Sequence, residues 1–183
     1  MYLVKGGSQR TSLWDSEFIR QHDVPGPRYT SYPTALQFHE EFTRNDYLDA
    51  VARSNAGRKP LSIYVHLPFC QSLCYYCACN KVITQSEDKK RQYLDYLIKE
   101  IKQKAAEFGT DRPVFQMHWG GGTPTYYGEA ELTELWYQIG RHFHLVDSDR
   151  GEYSIEIDPR TINSDKLGPL TGPGSNRITV GVQ

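Results

Sequence analysis

Four cysteines fall between positions 70 and 79, and none occurs elsewhere in the 183 residues. Their spacing is Cys70-x3-Cys74-x2-Cys77, with one more thiol at Cys79. A disulfide framework spreads its cysteines to staple distant loops. A group this tight, in a chain whose N-terminus shows neither an apolar core nor a small-residue cleavage pattern, reads as a metal site. Thiolates bind both zinc and iron–sulfur clusters. A four-cysteine zinc site pairs two short knuckles across a longer loop, whereas Cys77 and Cys79 stand too close to form two corners comfortably. Three ligands on one loop would leave one iron of a cubane open to a further ligand. The spacing favours a cluster, with zinc or plain buried thiols as the alternatives. Cys79 is a bystander, a redox partner or a group on the substrate side.

Two other groups could do chemistry. Residues 120–125, Gly-Gly-Gly-Thr-Pro-Thr, match neither a dinucleotide fingerprint nor a P-loop. Glycines there allow close backbone approach to a ligand, or simply make a tight strand-to-helix turn. Glu156 and Asp158 are two apart on an expected strand, which places both on one side. They could bind an ammonium or ribose hydroxyls, or pair with a buried arginine. Tyr64 and His66 share the face opposite Ile63, where a core position is the simpler reading of either.

The elements that must position these groups are regular from residue 61 onward. Alternating apolar residues predict strands over 62–67, 114–119, 152–157 and 177–182, the second of them stopped by the glycines. Helical spacing predicts 89–108, with Leu94, Leu97, Ile101 and Phe108 inward and Lys and Glu outward. It also predicts 129–143, with Leu132, Leu135, Trp136, Ile139 and Phe143 inward. Strands alternating with helices imply an α/β fold with a parallel sheet. Gly168, Pro169, Gly172, Pro173 and Gly174 interrupt the last crossover. Every chemical group then falls at the C-terminal end of a strand, the edge where parallel α/β folds bind ligands.

Residues 1–60 are less regular. Pro25, Pro27 and Pro33 impose an extended path. A short helix over 45–54 places Tyr47, Leu48 and Val51 on one side. The expected organisation is therefore an N-terminal extension, 1–60, capping the active site, and a barrel portion, 61–183. A net charge of -1 gives no basic footprint for nucleic acid. No apolar run is long enough to span a membrane, so the expected location is the cytoplasm.

The stretch from Tyr64 to Cys70, the three-cysteine loop, residues 120–125 and the Glu156-Ile-Asp-Pro159 run together resemble the radical S-adenosylmethionine (SAM) superfamily. Cys79 and residues 25–35 narrow the likeness to the oxygen-independent coproporphyrinogen III oxidases, and the likeness runs from about residue 23 to 183. It implies a partial (β/α) radical SAM barrel with a 4Fe–4S cluster on Cys70, Cys74 and Cys77. It further implies that Tyr64, Gly121 and Glu156 contact one SAM, and that Tyr76, Gly122, Thr123 and Gln183 contact a second.

The implied chemistry is reductive cleavage of SAM to methionine and a 5′-deoxyadenosyl radical. That radical takes hydrogen from a propionate of coproporphyrinogen III. Loss of carbon dioxide and one electron leaves a vinyl group, and a second round gives protoporphyrinogen IX. Flavodoxin or ferredoxin would be the electron donor, and the full-length enzyme would be a monomer. Arg28 is a candidate partner for a substrate propionate. Members of that family run on through further strands and a C-terminal helical domain. Their absence here would leave a bare strand edge and a chain that is inactive even if correctly assigned. The competing readings are a haem chaperone-like relative that binds haem, and a zinc module.

Overall fold

The computed structural model describes residues 2–5, 11–24, 35–75, 77–147, 150–160 and 174–180. By contacts the chain divides into two units, Met1–Phe42 and Thr43–Gln183.

In the first unit, β1 (Tyr2–Lys5) and β2 (Thr11–Trp14) form an antiparallel pair in register Tyr2 with Trp14. Helix α1 (Ser16–His22) follows directly, because the Asp15 carboxylate accepts from the amides of Glu17 and Phe18 at 3.0 and 3.1 Å. An acceptor at that position satisfies amides that a helix start otherwise leaves orphaned. The 3-10 turn Ala35–Gln37 follows. The proline-rich residues 25–34, and Arg28 with them, lie outside the described residues.

The second unit begins with α2 (Arg44–Gly57), started by a reciprocal cap between Thr43 and Asp46. Of the residues expected on one side, Val51 is buried and Leu48 is 38% exposed. Residues 43–60, grouped on sequence with the extension, bond to the sheet unit. Buried Arg112 donates to the Lys59 carbonyl at 2.7 Å and to Ser54 Oγ and Asn55 Oδ1, both at 3.1 Å. Asn55 also bridges Gly109 N and the Glu107 carbonyl, each at 2.9 Å.

Then come β3 (Leu61–Leu67), β4 (Phe69–Cys70), β5 (Val82–Ile83), α3 (Glu87–Glu107) and β6 (Pro113–Gly121). The 3-10 turn Pro124–Tyr126, α4 (Glu129–His142), β7 (His144–Leu145), β8 (Glu152–Ile157) and β9 (Arg177–Val180) complete the order. The main sheet runs β3-β6-β8-β9 with every pairing parallel, and β7 pairs with the start of β6. The expected parallel α/β sheet is present.

Strand alternation divides the two faces. Val65, Leu67, Met117, Trp119, Tyr153 and Ile155 belong to one buried cluster with Leu94, Ile98 and Ile101 of α3 and Leu132, Leu135 and Ile139 of α4. Leu97, Trp136 and Phe143 pack at its margin. The expected outward placement of the α3 lysines fails at Lys90, which is 3% exposed. Its ammonium donates to the Tyr126 carbonyl at 3.2 Å, pairs with Glu87 at 2.8 Å and lies 4.4 Å from the Tyr126 ring centroid. A buried ammonium needs such a set of partners. Among the described residues no helix is long and apolar enough to cross a membrane.

Candidate functional site

The cysteine loop leaves the end of β3 and returns to where it began. Strand β4 pairs with β5, Phe69 opposite Val82 and Cys70 opposite Ile83. Val82 N donates to the Pro68 carbonyl at 2.8 Å and Thr84 N to that of Cys70 at 3.2 Å. Residues 71–81 are therefore a loop tied shut at its base. Two-residue strands carry no periodic signal, which is why the sequence did not disclose this clamp. Within the loop, Lys81 Nζ donates to the carbonyl of Cys77 at 2.9 Å, and the Asn80 carbonyl lies 2.9 Å from His66 Nε2.

All four thiols are free: Cys70 is buried, Cys74 and Cys77 half-buried, Cys79 exposed. Thr123 Oγ1 donates to Cys70 Sγ at 3.4 Å, and Arg160 Nη2 to Cys74 Sγ at 3.1 Å. Burial pushes the Cys70 thiol up, opposed by Thr123. The Cys79 backbone amide holds Cys77 below the ordinary thiol value, while proximity to Cys77 and then burial push Cys79 up. Among the described residues, no three Cys, His, Asp or Glu side chains converge into a ready metal-holding group. The donor chemistry nevertheless suits an iron–sulfur cluster: three thiols on one closed loop, two of them with protein donors directed at sulfur.

The glycine run crosses over this loop. Contrary to expectation, β6 does not stop at Trp119 but continues through Gly120 and Gly121, opposite His66 and Leu67. Gly121 then turns with φ +117°, a conformation that disfavours any other residue. At Gly122 a Cβ would lie 2.6 and 2.7 Å from the carbonyl oxygens of Pro68 and Phe69. That position needs glycine because the chain lies on its own backbone. Gly122 N donates to the Leu67 carbonyl at 2.9 Å and Thr123 N to that of Phe69 at 3.0 Å. The glycine turn thereby carries Thr123 to Cys70.

The face of the sheet away from the helices carries a polar network. Tyr64 is 58% exposed there, so the core reading of this residue is wrong; it shares a strand face with His66 rather than with Val65 and Leu67. Its hydroxyl lies 2.9 Å from His66 Nδ1, and its ring stacks on His118 at 5.9 Å. His118 Nε2 is 3.1 Å from Glu156 Oε1, and Nδ1 is 2.7 Å from Ser154 Oγ. A carboxylate only accepts, so Nε2 carries a hydrogen toward Glu156. Gly121 N reaches Glu156 Oε2 at 3.4 Å. Sequence reading missed His118 and Ser154, although their alternation with Met117 and Ile155 places them on the Glu156 side.

Tyr64, Gly121, Gly122, Thr123 and Glu156 thus lie with the cysteine loop at one edge of the sheet. Tyr76 and Gln183 fall outside the described residues, as do residues 161–173 of the interrupted crossover. Asp158 stands one residue beyond the end of β8 at Ile157 and bonds to Arg160 Nε at 2.9 and 3.1 Å and to Nη2 at 2.6 Å.

Residues 64–183 match the family model described as the radical SAM superfamily. The oxygen-independent coproporphyrinogen III oxidase of Pseudomonas aeruginosa is 47% identical over 173 residues, 94% of this chain and 38% of that protein. The protein of the same name from Mannheimia haemolytica is 50% identical over 147 residues, 80% of this chain and 97% of that sequence. The structure of coproporphyrinogen III oxidase (HemN) from Escherichia coli, described as a radical SAM enzyme, superposes with a TM-score of 0.77 at 46% identity. It is covered over 93% of this chain and 36% of that one. The chain spans under two fifths of the length of the curated relatives it matches first.

Proposed function

The chain belongs to the radical SAM superfamily, grouping within it with the oxygen-independent coproporphyrinogen III oxidases, and from that premise we propose that it serves the oxidative decarboxylation of coproporphyrinogen III to protoporphyrinogen IX. Membership brings a 4Fe–4S cluster and SAM as cofactors. The names of the relatives support the oxidase over a haem-binding chaperone.

The observation that carries the reading is the bonding of three motifs into one edge. Thr123 of the glycine turn meets the Cys70 sulfur, and Gly121 N meets Glu156. Cys70, Cys74 and Cys77 would hold the cluster. When bound, the cluster would supply the electron for reductive cleavage of SAM, the chemistry that would initiate hydrogen abstraction from a substrate propionate.

The chain's own residues bind and orient. Glu156, held by His118, offers a fixed carboxylate for the ammonium or ribose hydroxyls of SAM. Tyr64 presents an aromatic face beside it, and the glycine backbone allows close approach. Tyr76, Gly122, Thr123 and Gln183 would contact a second SAM. Of the N-terminal extension, the part before Thr43 would cap the site and exclude water, with Arg28 as the partner of a substrate propionate. A flavodoxin- or ferredoxin-type donor, a cytoplasmic location and a monomeric full-length enzyme complete the proposal.

Anaerobic reconstitution with iron and sulfide, followed by dithionite and SAM, tests it. The expected result is four irons per chain and release of 5′-deoxyadenosine. Stoichiometric zinc in colourless protein, or haem binding without SAM cleavage, would overturn it.

A further inference from the structure

We infer that Arg160 tunes the cluster: its guanidinium, braced by Asp158, donates to the Cys74 sulfur and raises the reduction potential of the group that sulfur ligates. The inference rests on the cluster reading of the cysteine loop proposed above.

The contact joins residues 86 positions apart, so the fold makes it rather than local sequence. Arg160 is an exposed side chain with an unusually fixed head. Nε bonds to both oxygens of Asp158, Nη2 to Oδ2 at 2.6 Å, and the Arg160 amide to Oδ1 at 2.9 Å. The Asp158 side chain is only 15% exposed, directly beyond the end of β8. Arg160 in turn holds the Asp158 carboxyl below the usual carboxylate range. A planar guanidinium gripped in this fork has little rotational freedom left. Nη2 carries two hydrogens: one serves Asp158, and the other is directed at Cys74 Sγ, 3.1 Å away.

Reducing an iron–sulfur cluster adds one negative charge, spread over iron and sulfur. A donor at a ligand sulfur stabilises the reduced state more than the oxidised one. Hydrogen bonds to sulfur and local charge are among the levers that set such potentials. The Arg160 contact is charge-assisted and shorter than that of the neutral Thr123 hydroxyl on Cys70 at 3.4 Å, and charge-assisted bonds are the stronger class. Asp158 offsets the net charge of the pair but leaves its positive end toward the sulfur. The effect is therefore directional rather than one of bulk charge.

The test is a potentiometric titration of the reconstituted chain, followed by electron paramagnetic resonance without SAM, so that SAM binding cannot move the result. Wild type is compared with R160Q, R160K and R58Q. Arg58 is a control: it pairs with Asp111 near the opposite end of the strands. R160Q is expected to shift the midpoint to a more negative value. R160K, which keeps the charge but not the fork, is expected to fall between R160Q and wild type, and R58Q to match wild type. Equal midpoints for wild type and R160Q at equal iron content would overturn the inference and leave the proposed function standing. Failure of the wild-type chain to assemble any cluster would overturn both.

Discussion

The two ends of the main sheet solve opposite problems. At the N-terminal end, Arg112 is buried and donates to three oxygens, while Asn55 bonds the Gly109 amide and the Glu107 carbonyl of the α3–β6 connection. Polar groups there are bonded inward, to one another. At the C-terminal end, the Cys74, Cys77 and Cys79 thiols, the Glu156 carboxylate and the Tyr64 ring are at least partly open to solvent on a frame of backbone hydrogen bonds, with Cys70 buried beneath. Among the described residues, the buried side-chain N and O atoms without a partner are Trp119 Nε1, Thr125 Oγ1 and Tyr127 OH. All three fall in the stretch that builds the outward end. Each such atom costs about 1–3 kcal/mol. One end bonds its polar groups to one another, and the other presents groups that a ligand can reach.

That contrast can be broken most sharply at the cysteines. Single Cys70, Cys74 or Cys77 to Ser variants are expected to lose nearly all reconstituted iron, measured by iron assay and visible absorption. The half-buried pair, Cys74 and Cys77, should leave the urea midpoint of the metal-free chain nearly unchanged. A large loss of apo stability in C74S would show that the outward end is structural after all.

Gly122→Ala comes next and should act on fold and site together. Its methyl must displace two backbone carbonyls, which we expect to cost about 3 kcal/mol or more, in the range of severe steric substitutions. Arg112→Ala should cost about 3 kcal/mol by stranding buried acceptors, yet leave iron loading per folded chain intact. Equilibrium denaturation paired with iron content separates the two.

The smallest effect lies at the α2 cap. Thr43→Ala should cost about 1 kcal/mol without touching the iron. It should also alter the acid limb. Thr43 holds the Asp46 carboxyl below its ordinary value, chiefly through its side-chain and backbone hydrogen bonds. A folded value below the unfolded one contributes stability above the unfolded value, near pH 4, and loses it as pH falls through the folded value. The variant should therefore lose less stability than wild type across that acid window in denaturation series.

Legibility in the sequence follows the same division. The helices and long strands were readable because one face of each is continuously apolar, and Leu94, Ile101, Leu132 and Ile139 sit where periodicity puts them. Cys70, the glycines and Glu156 were readable as strand-end chemistry. Contacts that join distant residues without periodicity were not: the β4–β5 clamp, buried Lys90, and the reach of Arg160 to Cys74. The glycines alone left ligand approach and a tight turn open; at 122 the close backbone of Pro68 and Phe69 already requires glycine.

The clamp at the base of the cysteine loop also bears on how the protein survives oxygen. Joining the ends of an eleven-residue segment carries a length-dependent entropy cost of about 2 kcal/mol, and here Val82 and Thr84 keep those ends joined in the metal-free chain. A cluster destroyed by oxidation would therefore leave the base of its loop tied. Refilling it would call for iron, sulfide and reducing conditions, with the loop closure already made and only the thiols to be drawn together.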